Sequence, residues 1–217
     1  MLSKPSDFRM LLVALTGGIA VGKSVAAAVL KDLGCYIHHS DEAAHELIHP
    51  DSPAWKEIVV QFGRGVLNPD RTINRKQLGR IVFAGEQERL RLNGILHPRV
   101  MEARLDRLEA MERDGNHTIF ISEAALTVEA GFASSYDKVI VVHCREPLQI
   151  QRLMRRNRID RTEAERIIQS QMSQEEKKKQ AHYLIDSSDS LAETVERTET
   201  VYRLLIQDYE AKRRIQN

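Results

Sequence analysis

The stretch "ALTGGIAVGKSVA", residues 14–26, brings Gly17, Gly22, Lys23 and Ser24 into the spacing G-x-x-x-x-G-K-[ST]. These residue types suit one task, holding a polyphosphate. Glycines let the backbone curl until several N–H groups point at one anion. A helix starting at Lys23 adds its positive dipole end. In such a loop the lysine reaches the β- and γ-phosphates and the hydroxyl of Ser24 ligands Mg²⁺. The expected nucleotide contacts are therefore Gly17, Gly18, Ile19, Ala20, Val21, Gly22, Lys23, Ser24 and Val25. The expected ligand is a nucleoside triphosphate.

Two carboxylates stand at the ends of β-rich runs. Asp41 closes "YIHHSD" and Glu123 closes "TIFISE". In an open α/β sheet, ligands bind outside the carboxyl ends of the strands. Asp41 is placed to act on an acceptor hydroxyl, or else Ser40 or Asp41 caps the following helix. Glu123 is placed to orient water around Mg²⁺, or to contact the phosphate loop itself. Six arginines lie between 152 and 166, among them Arg152 and Arg155. Part of that charge suits a solvated helix face. The rest suits a flap closing over a triphosphate, where charge develops during transfer.

Two other motifs compete. "HELIH", residues 45–49, matches H-E-x-x-H, with His45 and His49 as zinc ligands and Glu46 as base. The segment is short, stops at Pro50 and has no third ligand at a suitable spacing. "NRID", residues 157–160, resembles a guanine-reading motif without its lysine, and the chain has no D-x-x-G. A GTPase switch is therefore excluded.

The positioning elements follow from the pattern. Five β-rich runs cover 10–16, 35–39, 118–123, 138–144 and 183–187. Helical stretches separate them, which predicts a parallel sheet with helices on both faces. The interval 41–117 reads as helices at 41–49, 54–62 and 74–84, and a last one from Pro98 to about Arg113. Pro98 suits a first turn there. The segment 147–179 reads as two charged helices broken near Asp160. A final helix over about 190–213 places Leu191, Val195, Tyr202, Leu205 and Tyr209 on one stripe.

Composition bounds the rest. The 217 residues are 42% hydrophobic, enough to bury a core, and the formal net charge of +1 calls for neither nucleic acid nor an anionic membrane. No apolar run reaches the ~18 residues of a spanning helix. The opening "MLSKPSDFRM" does not read as a signal peptide. Cys35 and Cys144 sit in apolar, strand-like runs and read as core thiols in a reducing, cytoplasmic compartment.

Taken in order, the motifs resemble the dephospho-CoA kinase family. They are "LTGGIAVGKS", "SDE" at 40–42, "INRKQLGRIVF" at 73–83, "LHPRV" at 96–100, "EAALTVEAG" at 123–131, "QRLMRR" at 151–156, "RIIQSQ" at 166–171 and "AHYLIDSSDS" at 181–190. The chain departs from the family pattern at Ala20 and Ser187, where glycine and asparagine are usual, and at Val25 and Ala125. The resemblance implies an α/β P-loop fold of the nucleoside-monophosphate-kinase type, with a five-stranded parallel sheet. It implies transfer of phosphate from ATP, with Mg²⁺, to the ribose 3′-hydroxyl of dephospho-CoA. It further implies a nucleotide core over 10–40 and 114–217, a lid at about 147–179 and a helical CoA-binding subdomain over 41–113. On those terms Lys23, Asp41 and Arg155 are catalytic and Arg152 binds nucleotide. Arg75 and His97 bind substrate, with Asp41, and Ser24 and Glu123 serve the metal. Two rivals remain at this point: another small-molecule kinase on this fold, and a non-catalytic nucleotide-binding module.

Overall fold

Strand β1, Leu11–Thr16, is buried at all six positions. That requires neighbours on both edges and cover on both faces. In the computed structural model, which describes residues 8–216 apart from the side chains of Asp41, Ala44, Phe83, Ala84 and Glu86, β1 lies at the centre of the sheet. The sheet order is β2-β3-β1-β4-β5, with β2 Tyr36–His39, β3 Ile119–Glu123, β4 Lys138–His143 and β5 Tyr183–Asp186. Every pairing is parallel. The five expected strands are all present, and the expected five-stranded parallel sheet stands. The register places Glu123 beside Leu15 on one side and His39 on the other. The tips of three strands thus meet where the phosphate loop begins.

The chain divides into two compact units, residues 40–109 and the remainder. In the sheet unit, α1 spans Lys23–Asp32 and packs Ala26, Ala27 and Leu30 into a core with Leu11, Val13 and Ile121. The final helix, α9, spans Leu191–Gln216. Its buried residues are Thr194, Thr198, Val201 and Leu205, a stripe of helical period. Leu191, expected on that stripe, is 66% exposed. Two small threonines form its first half instead, each hydroxyl donating to the carbonyl four residues back.

The other unit is helical: α2 Ser40–Glu46, α3 Pro53–Phe62, α4 Arg75–Ala84 and most of α5, Glu86–Asp114. Ser52 caps α3, and Asn74 caps α4. Helix α5 begins twelve residues earlier than Pro98 suggests, so this proline sits inside the helix and not in its first turn. Tertiary burial decides the matter. Leu92, Ile95 and Leu96, all ahead of the proline, pack against the cluster of Trp55, Ile58 and Leu78. That burial outweighs the ~3 kcal/mol an interior proline costs. Arg99 supports the weakened turn by donating to the carbonyl of Ile95 and pairing with Glu57.

The segment after β4 also differs from expectation. It forms three helices, α6 Glu146–Asn157, α7 Arg161–Gln169 and α8 Gln174–Lys178. Asp160 caps α7, and a capping box of Ser173 and Glu176 starts the short α8. That box is readable in the sequence as S-x-x-E. Lys177 in α8 is fully buried. Its Nζ pairs with Glu129 and donates to the carbonyl of Ala125, pinning the loop that follows β3. Lys177→Met is expected to destabilise the protein by ~3 kcal/mol, because it strands a carboxylate that was paired in the interior. Adding Glu129→Gln should recover part of the loss, as read from urea midpoints.

Candidate active site

The phosphate loop occupies residues 17–22, between β1 and α1. Its glycines are fixed by what surrounds them. A Cβ on Gly17 would lie 2.3 Å from the backbone oxygen of Val142 on β4, and one on Gly18 would lie 2.9 Å from Nε2 of Gln149 on α6. Gly22 immediately precedes α1. No side chain caps the N-terminus of α1, the place where such loops hold an anion. Ala20 takes φ 60°, the left-handed region that explains why glycine is usual there.

The loop carbonyls are tied back. Lys23 Nζ donates to the carbonyls of Gly17 and Gly18, at 3.1 and 3.2 Å. Ser187, following β5, donates its hydroxyl to the carbonyl of Val21 at 2.6 Å. Arg152 on α6 grips Ser187 twice, through its hydroxyl at 3.0 Å and its carbonyl at 2.9 Å. The serine at this family-divergent position therefore links the loop to an arginine.

A cavity of about 290 Å³ opens over these groups. It is lined by loop residues 20–24 with Glu123, Arg152 and Arg156. This places Lys23, Ser24, Glu123 and Arg152 together, so that residues bearing two guanidinium groups, an ammonium, a hydroxyl and a carboxylate line one cavity. Glu123 holds one oxygen 2.7 Å from Nδ1 of His39. A second cavity, about 710 Å³, is lined by Gly18, His143, Gln149, Gln171 and Gln174 among others. The smaller one is lined by the residues expected to hold phosphate.

Other expected residues fall elsewhere. Arg155 is exposed and outside the cavity lining, where Arg156 stands instead. The signal for Arg156 was its i+4 spacing from Arg152, which returns it to the same helix face. Ser40 and Asp41 are the first two residues of α2, and the side chain of Asp41 lies outside the described residues. Arg75, exposed at the start of α4, and His97, on α5, belong to the helical unit. Helix α2 ends at Glu46, so His45 and His49 do not share two turns of one helix. Both cysteines are free and buried, and burial pushes the Cys35 thiol up to about 12.

A family model described as dephospho-CoA kinase matches residues 11–193. This chain belongs to the dephospho-CoA kinase family. A dephospho-CoA kinase of Geobacillus kaustophilus is 40% identical over 184 residues, covering 85% of this chain and 91% of the relative. A solved dephospho-CoA kinase of Campylobacter jejuni aligns with TM-score 0.57 at 25% identity, covering 91% of this chain and 98% of that one. A solved protein of Thermus thermophilus aligns with TM-score 0.79 at 24% identity, over 90% of this chain and 97% of that one, and supports the fold. Family membership removes the rival of another small-molecule kinase on this fold.

Two histidines give the folded chain a pH dependence. Burial holds His143 below its ordinary value of 6.5, aided by the charge of Lys178 and opposed by Asp186. Burial likewise lowers His97. Below pH ~6.5 the unfolded chain takes up protons that these rings resist, so stability falls as pH drops from ~7 towards 5. Thermal midpoints at those pH values are expected to decline, and His143→Gln should flatten the decline.

Proposed function

We infer that this protein is an ATP-dependent kinase that phosphorylates the ribose 3′-hydroxyl of dephospho-CoA, giving coenzyme A and ADP. The observation carrying this reading is the 290 Å³ cavity, where the loop amides, Lys23, Ser24 and Arg152 converge in a chain of that family. In the proposed assignment the helical unit receives dephospho-CoA, with Arg75 and His97 among its contacts. The sheet unit receives ATP.

Phosphoryl transfer depends mainly on positioning and on stabilising charge. Lys23 exchanges its bonds to the Gly17 and Gly18 carbonyls for the β- and γ-phosphates. Arg152 and Arg156 neutralise charge on the transferring group. Arg156 is the stronger candidate for this role, and Arg155 the weaker. Asp41 accepts the proton of the 3′-hydroxyl or orients it for in-line attack. Ser24 and Glu123 supply hard oxygen donors in the cavity lining, which fits Mg²⁺, an ion that takes one or two protein oxygens and completes its shell with phosphate and water. When bound, the ion neutralises phosphate charge. No helix among the described residues is long and apolar enough to cross a membrane. With two free buried thiols, we place the enzyme in the cytoplasm.

The activity is tested by ADP release from MgATP with dephospho-CoA, shikimate or gluconate as acceptor. Only dephospho-CoA is expected to raise the rate well above the acceptor-free control. A flat response to dephospho-CoA removes the assignment. Lys23→Ala should lose most transfer while melting normally, since the point charge on the phosphates is gone. Asp41→Asn should lower kcat at least ~100-fold with ATP affinity little changed. Wild-type turnover in that variant would move the acceptor role to Glu42 or Glu123.

A further inference from the structure

Three glutamines stand behind the phosphate loop. Gln149 on α6 is 2% exposed. Its Nε2 donates to the carbonyl of Ile19 at 2.9 Å, and its Oε1 accepts from Nε2 of Gln174 at 2.8 Å. Oε1 of Gln174 accepts from the backbone N–H of Cys144 at 3.0 Å. This chain of bonds runs from a backbone donor to a backbone acceptor. Its two ends therefore fix which way both amides point. Gln171, between α7 and α8, reaches Ile19 separately, with its Oε1 accepting the Ile19 N–H at 2.9 Å. Side chains from the lid segment thus hold both polar backbone groups of Ile19.

The consequence lies in the next peptide group. A trans peptide is planar, with its C=O and N–H directed oppositely. With the Ile19 carbonyl drawn to Gln149, the N–H of Ala20 is turned the other way. Ala20 lines the cavity shared with Lys23 and Ser24. Its φ of 60° is one that an L-residue keeps only when its neighbours hold it. Gly18 completes the arrangement, because any side chain there would strike the Gln149 amide.

We propose that Gln149 and Gln171, with Gln174 supporting the first, are positioning residues for phosphoryl transfer. They set the Ile19–Ala20 peptide so that its N–H faces the triphosphate. The proposal rests on the kinase reading above. It also makes the α6–α8 segment part of the phosphate site, coupling the position of these helices to the geometry of the loop.

The test compares Gln149→Glu, Gln149→Leu, Gln171→Met and Gln171→Glu in the full-length enzyme. For each, kcat and KM for MgATP are measured between pH 6 and 9 as ratios to wild type, which cancels the titration of other groups. At pH 9 the carboxylate of Gln149→Glu cannot donate to Ile19, and kcat should fall about tenfold or more. Burial raises the pKa of that carboxyl. At pH 6 its protonated form can donate, and much of the rate should return. Gln149→Leu should fall without any such recovery. Gln171→Met should lose several-fold, while Gln171→Glu, which keeps an acceptor oxygen, should restore most of it. A residue that only supports packing would lower the melting temperature and leave the pH-dependent ratio flat. The proposal is overturned if folded Gln149→Leu and Gln171→Met keep wild-type kcat and KM, or if Gln149→Glu loses the same factor at every pH. If the buried Gln149 variants fail to fold, the Gln171 pair decides alone. Wild type without activity on dephospho-CoA counts against the proposed reaction. The loop proposal is then judged by MgADP affinity across the same variants, where loss in Gln171→Met and rescue in Gln171→Glu remain the expected result.

Discussion

The phosphate loop must leave amide groups free for an anion while the chain around it is buried, and this requirement organises the sheet unit. Buried backbone polar groups need partners. Here the carbonyls receive theirs from Lys23, Gln149 and Ser187, and the Ile19 N–H from Gln171. Those side chains come from α1, α6, the residues after β5 and the α7–α8 connection. The loop is thus a surface shaped by four other parts of the chain. Its own sequence supplies flexibility, and the surroundings remove it.

The inner strands β1, β3 and β4 were legible because they are largely buried and read as short, mostly apolar runs. The P-loop was legible because its chemistry demands fixed residue types at fixed spacing. The helical unit was less so. Pro98 and Gly94 argue locally for a break in α5, yet Ile95 and Leu96 pack into the Trp55 cluster and carry the helix through. In α9 the buried threonines looked polar in one dimension. Their hydroxyls bond within the helix, which lets them face the core.

Within the site, what sequence reading missed has a common cause. Glutamine is neither a metal ligand nor a usual acid or base, and three glutamines on separate segments make no motif. Their role appears only when the fold closes Gln149 and Gln171 on one residue. Arg156 was hidden as one of six arginines between 152 and 166 until α6 brought it to the cavity lining. Ser187, a departure when compared with the family pattern, is a working part when seen bonded to Val21 and Arg152.

The neighbours of Gly17 and Gly18 carry a consequence for evolution. The obstacle at Gly17 is a main-chain oxygen, which no exchange of side chain at Val142 can remove. That glycine has no compensating partner and should stay invariant among descendants of this chain. The obstacle at Gly18 is the tip of a side chain. A larger residue could enter there once position 149 had become shorter, provided another donor took over the Ile19 carbonyl. Two adjacent glycines therefore differ in kind: one is frozen by the backbone of a neighbouring strand, and the other is free to drift in step with a residue more than a hundred positions away.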